Sequence, residues 1–421
     1  MAIDSLTKAP DVKHADVRRS APKEQNAGRL SVADRTDALM AGSSNAWAVH
    51  EAAVARQRAG EEIIVLTIGD PDFDTPVAIV DAAIQSLRNG ETHYTATNGI
   101  PELRHAIRKA ETTRLSTEIA LDRVTVVQGA QNGLYAVMQT IANPGDDVLS
   151  IDPAYPTFGA VIGAAGGRMV RVPLAQRGDG FRFDVAAAEA AITPQTSAFL
   201  FNFPHNPTGA ALTRDEAEAV VDLCRRRGIW LICDEVYAEL TFDAPYVSPL
   251  SLEGARDIAI SVRSMSKSHA MTGWRVGWTI APEDHAVHIQ NAANAMLFGG
   301  AEFIQKGAVA GLELSISEEM RVAYQKRRDV FCERVAASAI LKVVRPESGI
   351  FVLVDVRGTG LDETEFAWRL LKEKAVSALP AASFSELTAG FVRISLCAPD
   401  AALAEAADRM AALAAEVVDG G

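Results

Sequence analysis

The stretch SMSKSHAMTGWRVGW, Ser264 to Trp278, sets one amine and one guanidinium among small hydroxyl residues, glycines and apolar side chains. Lys267 has two readings. It is an exposed charge, as most lysines are, or a desolvated amine forming a Schiff base, which needs a lowered pKa and a rigid seat. In the second reading Arg275 supplies a fork for a dianionic phosphate. Asp234 closes the apolar run IWLIC, where an unpaired carboxylate is costly. It either caps the following turn or faces a cation. Gly129-Ala130-Gln131 lies between a β-branched run and a segment of helical spacing. Such a glycine is a plain turn, or part of a backbone nest where free N–H groups and the positive helix end hold a phosphate. Taken together, nest, carboxylate, amine and arginine form a set that no single member defines.

The elements that must position these groups alternate along the chain. RVTVVQGA (Arg123 to Ala130) reads as a strand, and QNGLYAVMQTIANPGD as a helix that stops at Pro144-Gly145. DVLSIDPAYP is a further buried strand. TSAFLFNFPHNPTG, helical TRDEAEAVVDLCRRRG, IWLICDEVY and DIAISVRSMSK continue the alternation. Wholly apolar strands separated by helices predict an α/β fold with a mainly parallel sheet covered on both faces. In such sheets function gathers at the carboxyl ends of the strands, and nest, carboxylate, amine and arginine each fall at the end of a successive predicted strand.

Composition narrows the partners. The chain has 421 residues, enough for one large core and a smaller satellite domain. A formal charge of −13 repels a duplex or an anionic membrane, and no compensating basic patch is evident. No run reaches the roughly 18 apolar residues of a membrane span. Cys224, Cys233, Cys332 and Cys397 show neither CxxC nor Cys/His spacing, so neither a metal site nor a disulfide framework is indicated. Arg18-Arg19-Ser20 looks like a twin-arginine start but no apolar run follows, so residues 1–28 read as a disordered polar tail and the protein as cytoplasmic.

SMSKSHAMTGWRVGW resembles the lysine signature of the class I pyridoxal-phosphate-dependent aminotransferases, the aspartate aminotransferase superfamily of fold type I. GDPDFDTP (Gly69 to Pro76), HYTATNGIPELR (His93 to Arg104), NFPHNPTG (Asn202 to Gly209), DEVY (Asp234 to Tyr237) and FVRISL (Phe391 to Leu396) agree in order and spacing. The resemblance covers essentially the whole chain after the tail. It implies a large domain over 63–311 with a mainly parallel seven-stranded sheet between helices, and a smaller α+β domain from 29–62 and 312–421. There LKVVRPESGIFVLVDV reads as two strands around Ser348-Gly349, with a helix from about Glu363.

The resemblance also implies roles. Lys267 carries pyridoxal 5'-phosphate as an imine and then moves a proton. Asp234 pairs with the pyridine nitrogen and keeps the ring an electron sink. Tyr237 and Asn206 bond the cofactor's O3′, and Tyr155 stacks on its face. Ala130, Gln131, Ser264, Ser266 and Arg275 hold the phosphate. Tyr94 reaches the phosphate of the neighbouring subunit, which implies a homodimer with shared active sites. Arg393 grips the substrate α-carboxylate bidentately, with Asn206 beside it and the Gly69 backbone closing over it.

Within the family, GEEIIVLTIGDPDFDTP, SKSHAMTGWRVGW and AEFIQKGAV look most like the arginine:pyruvate transaminases, which move the α-amino group of L-arginine to pyruvate by a ping-pong mechanism. A guanidinium needs a carboxylate or an aromatic face in the side-chain pocket, and Glu302 is the candidate weighed against a solvated surface glutamate. Two departures stand out. LPAASFSELTAGFVR places Ala381 and Ser385 where relatives usually have glycine, beside the substrate pocket. No match is found around QNAANAMLFGGAEF for the arginine that aspartate-type enzymes use on a second carboxylate. An aspartate, aromatic or broad-range aminotransferase and a carbon–sulfur β-lyase are the alternatives. A transcription regulator with such a domain would need a basic DNA-binding module ahead of it, and only the polar tail stands there.

Overall fold

The computed structural model describes residues 32, 33, 36, 39, 47–178 and 180–420. The tail expected over 1–28 lies outside the described residues. Every element described below belongs to the unit Arg35–Gly421.

Every residue of the strands Val124–Val127, Asp147–Asp152 and Ala259–Ser264 is buried, but the strands expected to be wholly apolar also bury Asp147, Ser150, Asp152, Ser261, Arg263 and Ser264. With Trp230–Asp234, Thr196–Asn202, Arg168–Pro173 and Gly277–Ile280 they form one seven-stranded sheet. Its order is Val124–Val127, Gly277–Ile280, Ala259–Ser264, Trp230–Asp234, Thr196–Asn202, Asp147–Asp152, Arg168–Pro173. Both neighbours of Gly277–Ile280 pair with it antiparallel, and all the other pairs are parallel. The expected mainly parallel sheet is therefore present, with one reversed strand. That strand corrects one expectation: Arg275 precedes Gly277–Ile280 instead of following a strand. Reversal puts the start of this strand at the edge where its neighbours end, so Arg275 still reaches the others.

Register explains the convergence. Gly277 lies between Val127 and Ser264, while Asp234 pairs with Val262 on one side and Asn202 on the other. Helix Ala130–Ile141 follows the first strand and buries Leu134, Val137 and Met138, each contributing about 2 kcal/mol of apolar burial. Helix Arg214–Arg227 begins at a capping box between Thr213 and Glu216.

A second sheet runs Lys342–Val344, Phe351–Asp355, Phe391–Ser395, Leu379–Pro380, all antiparallel. The turn between its first two strands and the helix Glu363–Lys374 match the sequence expectation. Arg393 pairs in register with Leu353 and Leu379. Helix Ala48–Arg58 contributes Val49 and Ala53 to the same core as Phe331, Phe366 and Leu413. Ile64 and Val65 pair parallel with Val376 and Ser377. Among the described residues no helix is long and apolar enough to cross a membrane.

Candidate active site

Lys267 sits in the turn just past Ala259–Ser264, and its Nζ donates to the Gly69 carbonyl at 2.6 Å. Burial pushes its pKa down, and Arg275 and Arg393 add to the effect, while Cys397 and Asp70 oppose it. A desolvated amine with two cations nearby is the seat that imine chemistry requires. Gly69 also packs its backbone against Phe351, where a Cβ would lie 2.4 Å from Phe351 Cζ.

The anion-binding half is built around Gly129, the residue before helix Ala130–Ile141. Its φ is +81°, and a Cβ would stand 2.4 Å from Arg275 Nη2. Glycine thus lets the guanidinium rest against the helix N-terminus. Arg275 itself has φ +55° and donates from Nη1 to the Thr272 carbonyl at 2.8 Å. Ser264 Oγ donates to Ser266 Oγ (2.7 Å) and accepts from Ser266 N–H (2.9 Å), which orders two hydroxyls before Lys267. Gln131, on the first turn, accepts from Thr157 Oγ1 at 2.9 Å. Free N–H groups, a helix dipole and an arginine converge there, as a phosphate demands.

Asp234 ends its strand 5% exposed, and burial raises its pKa to about 7; a 3.4 Å bond from Val236 N–H opposes this. Among the described residues no cation stands among the groups that shift it. A carboxylate so placed suits a cationic ring nitrogen. The next residue, Glu235, is fully buried and differently served, accepting from Ser248 Oγ and Ser261 Oγ at 2.5 Å each and from Arg114 at 3.2 Å. Tyr155 and Tyr237 are desolvated phenols whose pKa values are raised by burial, and Tyr155 raises that of Tyr237 further. His205, buried and kept neutral by a pKa lowered to about 3, joins Thr208 Oγ1 (2.8 Å) to the Pro153 carbonyl (3.0 Å) and so fixes the loop bearing Asn206.

Arg393 is 2% exposed. Nη1 donates to Asn206 Oδ1 (3.1 Å) and Nη2 to the Thr67 carbonyl (2.8 Å), while Nε has no hydrogen-bond partner among the described residues. Its Cζ lies 3.9 Å from the Phe351 ring centroid and 4.9 Å from that of Phe384. Burial lowers its pKa to about 10, so it stays cationic at neutral pH. A buried guanidinium with an unspent donor is equipped to take a carboxylate.

The structure pairs Gly69 with Lys267, Asn206 with Arg393 and Gly129 with Arg275, and Phe351 touches both Gly69 and the Arg393 guanidinium. Tyr94 stands apart, 84% exposed with its ring edge-on to Phe298 at 5.2 Å. Glu302 begins helix Glu302–Gly311 and acts electrostatically on Lys306. Thr67, Phe351, Phe384, Asp70 and Cys397 escaped the sequence reading as neighbours of the site. Asp70 follows Gly69 directly, a position the GDPDFDTP motif marks, and its exposed carboxylate accepts from Thr272 Oγ1 at 2.6 Å.

The family model for aminotransferase class I and II matches residues 61–410. The arginine–pyruvate transaminase AruH of Pseudomonas aeruginosa is 45% identical over 391 residues, 92% of this chain and 99% of that protein. An aspartate aminotransferase of Thermotoga maritima is 34% identical, covering 83% of this chain and 91% of its own length. Among solved structures, the Thermus thermophilus aspartate aminotransferase with maleate superposes with a TM-score of 0.85 at 30% identity, over 91% of this chain and all of that one. The site geometry and this likeness over nearly the whole length agree: the chain belongs to the class I and II aminotransferases.

Proposed function

We propose that this transaminase works with pyridoxal 5'-phosphate and moves the α-amino group of L-arginine to pyruvate by a ping-pong mechanism. The observation that carries the cofactor is the buried Asp234, set at the same sheet edge as the amine of Lys267 and the nest of Gly129, with no cation among the described residues acting on it. The bound cofactor supplies an electron sink for the bond broken at the substrate's Cα. Ala130 and Gln131 N–H groups, the Ser264 and Ser266 hydroxyls and Arg275 would hold its phosphate. Asp234 would sit at its ring nitrogen, Tyr155 on its face, and Tyr237 and Asn206 at its phenolic oxygen.

Arg393 fixes the α-carboxylate and thereby the orientation of Cα. Lys267 would hold the cofactor through its amine, and the same Nζ would accept the proton leaving Cα. The lowered pKa of the amine favours its unprotonated, accepting form. Phe351 and Phe384 keep water from the guanidinium. Three observations support the wider reading. The AruH relative is named for arginine and pyruvate. Asp70, acting on Lys267 from beside Gly69, offers a carboxylate to a cationic side chain, which Glu302 does not do from its place beside Lys306. The exposed cluster Tyr94, Leu297 and Phe298 supports a homodimer in which Tyr94 of the partner subunit completes the phosphate site.

We also read residues 63–311 as the cofactor domain and 29–62 with 312–421 as the small domain. The four free cysteines fit a cytoplasmic protein. A spectral half-reaction screen tests the specificity. Cofactor-loaded enzyme is mixed with single amino acids, and loss of the lysine-bound cofactor's absorbance is followed. L-Arginine should react fastest and pyruvate should restore the spectrum. Faster reaction of aspartate or an aromatic amino acid would overturn the arginine assignment.

A further inference from the structure

Asp152 ends a central strand 6% exposed, and its carboxylate joins two parts of the fold. Arg171, on the adjacent strand, donates to it from Nη1. Ser385 Oγ donates to its other oxygen at 2.5 Å. Arg171 Nη1 also donates to the Phe384 carbonyl at 2.9 Å. The turn that receives these bonds is internally braced: Leu387 N–H donates to Ser385 Oγ (3.1 Å), and Thr388 Oγ1 donates to the carbonyls of Ala381 (2.7 Å) and Ser385 (3.0 Å). Phe384 lies in this turn, 2% exposed, with its ring on Arg393.

The family resemblance leads one to expect glycine at Ser385. Neither Ala381 nor Ser385 has a positive φ, and Ser385 is fully extended (φ −172°), so the backbone makes no demand for glycine here. What serine adds is the hydroxyl, and the hydroxyl is spent on Asp152.

We infer that Asp152, Arg171 and Ser385 form a clasp that holds Phe384 over Arg393 and so sets how firmly the substrate carboxylate is gripped. Asp152 and Ser385 are positioning residues: they act on substrate only through Phe384 and Arg393. The cover matters because a guanidinium–carboxylate pair strengthens as water is excluded from it. The inference rests on the proposal that Arg393 binds the α-carboxylate. Amino acid and oxo acid present the same carboxylate to it, so loosening the clasp weakens both alike and leaves the chemical step largely untouched.

The test compares Ser385→Ala, Ser385→Gly and Ser385→Thr with Arg393→Lys in the cofactor-loaded enzyme. Ser385→Ala and Ser385→Gly should raise KM for both substrates by about fivefold to tenfold, with kcat within about twofold of the parent. Ser385→Thr, which keeps the hydroxyl, should restore both values. Amide exchange over 384–390 should quicken in the alanine and glycine variants only. Unchanged KM values in Ser385→Ala, a loss confined to kcat, or failure of threonine to rescue would each overturn the clasp. An Arg393→Lys enzyme with unchanged KM values would instead overturn the carboxylate reading beneath it.

Discussion

Removing the charge of Asp234 should make the cofactor-free protein more stable, and increasingly so as pH rises. Asp234 has a pKa of about 7 in the folded protein against 3.8 for the free side chain, with desolvation as the first cause. The folded-state value is raised, so folding favours the protonated acid. The penalty is absent below pH 3.8, grows as pH climbs to about 7, and is constant above that. At about 1.4 kcal/mol per pH unit the full penalty is somewhat over about 4 kcal/mol, of which little more than a third is present at pH 5. For a chain of 421 residues, an unfolding entropy of about 0.9 kcal/mol per kelvin turns the difference of nearly 3 kcal/mol into about 3 °C. Melting cofactor-free Asp234→Asn beside the parent at pH 5 and pH 8.5 should therefore show a gain in Tm that is about 3 °C larger at the higher pH. If Asp234 pairs with the cofactor's ring nitrogen as proposed, the order should reverse with cofactor bound, because the carboxylate then gains a cationic partner. A gain independent of pH, or none in the cofactor-free proteins, would refute the claim that Asp234 lies in an uncompensated, desolvated seat.

Gly129→Ala forces a Cβ to 2.4 Å from Arg275 Nη2 at φ +81°; Kd for pyridoxal 5'-phosphate, measured by equilibrium dialysis, should rise at least about tenfold, and an unchanged value would remove the nest from the phosphate site. Arg393→Lys loses the fork shared by Asn206 and Thr67, so steady-state kcat/KM should fall about 30- to 100-fold for amino acid and oxo acid alike. Glu235→Ala strips Ser248, Ser261 and Arg114 of a fully buried acceptor and should cost about 3 kcal/mol or more in urea unfolding. A midpoint equal to the parent's would show that network to be dispensable.

The strands were legible because residues buried on both faces form runs that are mostly apolar and β-branched or aromatic, as in Trp230–Asp234 and Thr196–Asn202. Site residues were legible where a polar group interrupts such a run at its end, as Asp234 and Lys267 do. Direction was not: GWTI is as apolar as its neighbours, and nothing in it marks Gly277–Ile280 as the reversed strand that turns Arg275 back to the edge. Thr67 escaped because it serves Arg393 through its carbonyl oxygen, a group every residue has. Phe351 and Phe384 carry no mark in the sequence, since stacking on a guanidinium depends on pairing between distant segments. Ser385 was visible as a departure from glycine, but its partner Asp152 lies 233 positions away and only the folded chain brings them together.

Locating the cofactor on the chain tests the central claim most directly. Borohydride reduction of the loaded enzyme fixes pyridoxal phosphate to whichever amine carries it, and peptide mapping by mass spectrometry then identifies that amine. The label should fall on Lys267 alone, at one equivalent per chain, and should disappear in Lys267→Ala together with turnover. A label on any other lysine, or transamination surviving in Lys267→Ala, would contradict the account.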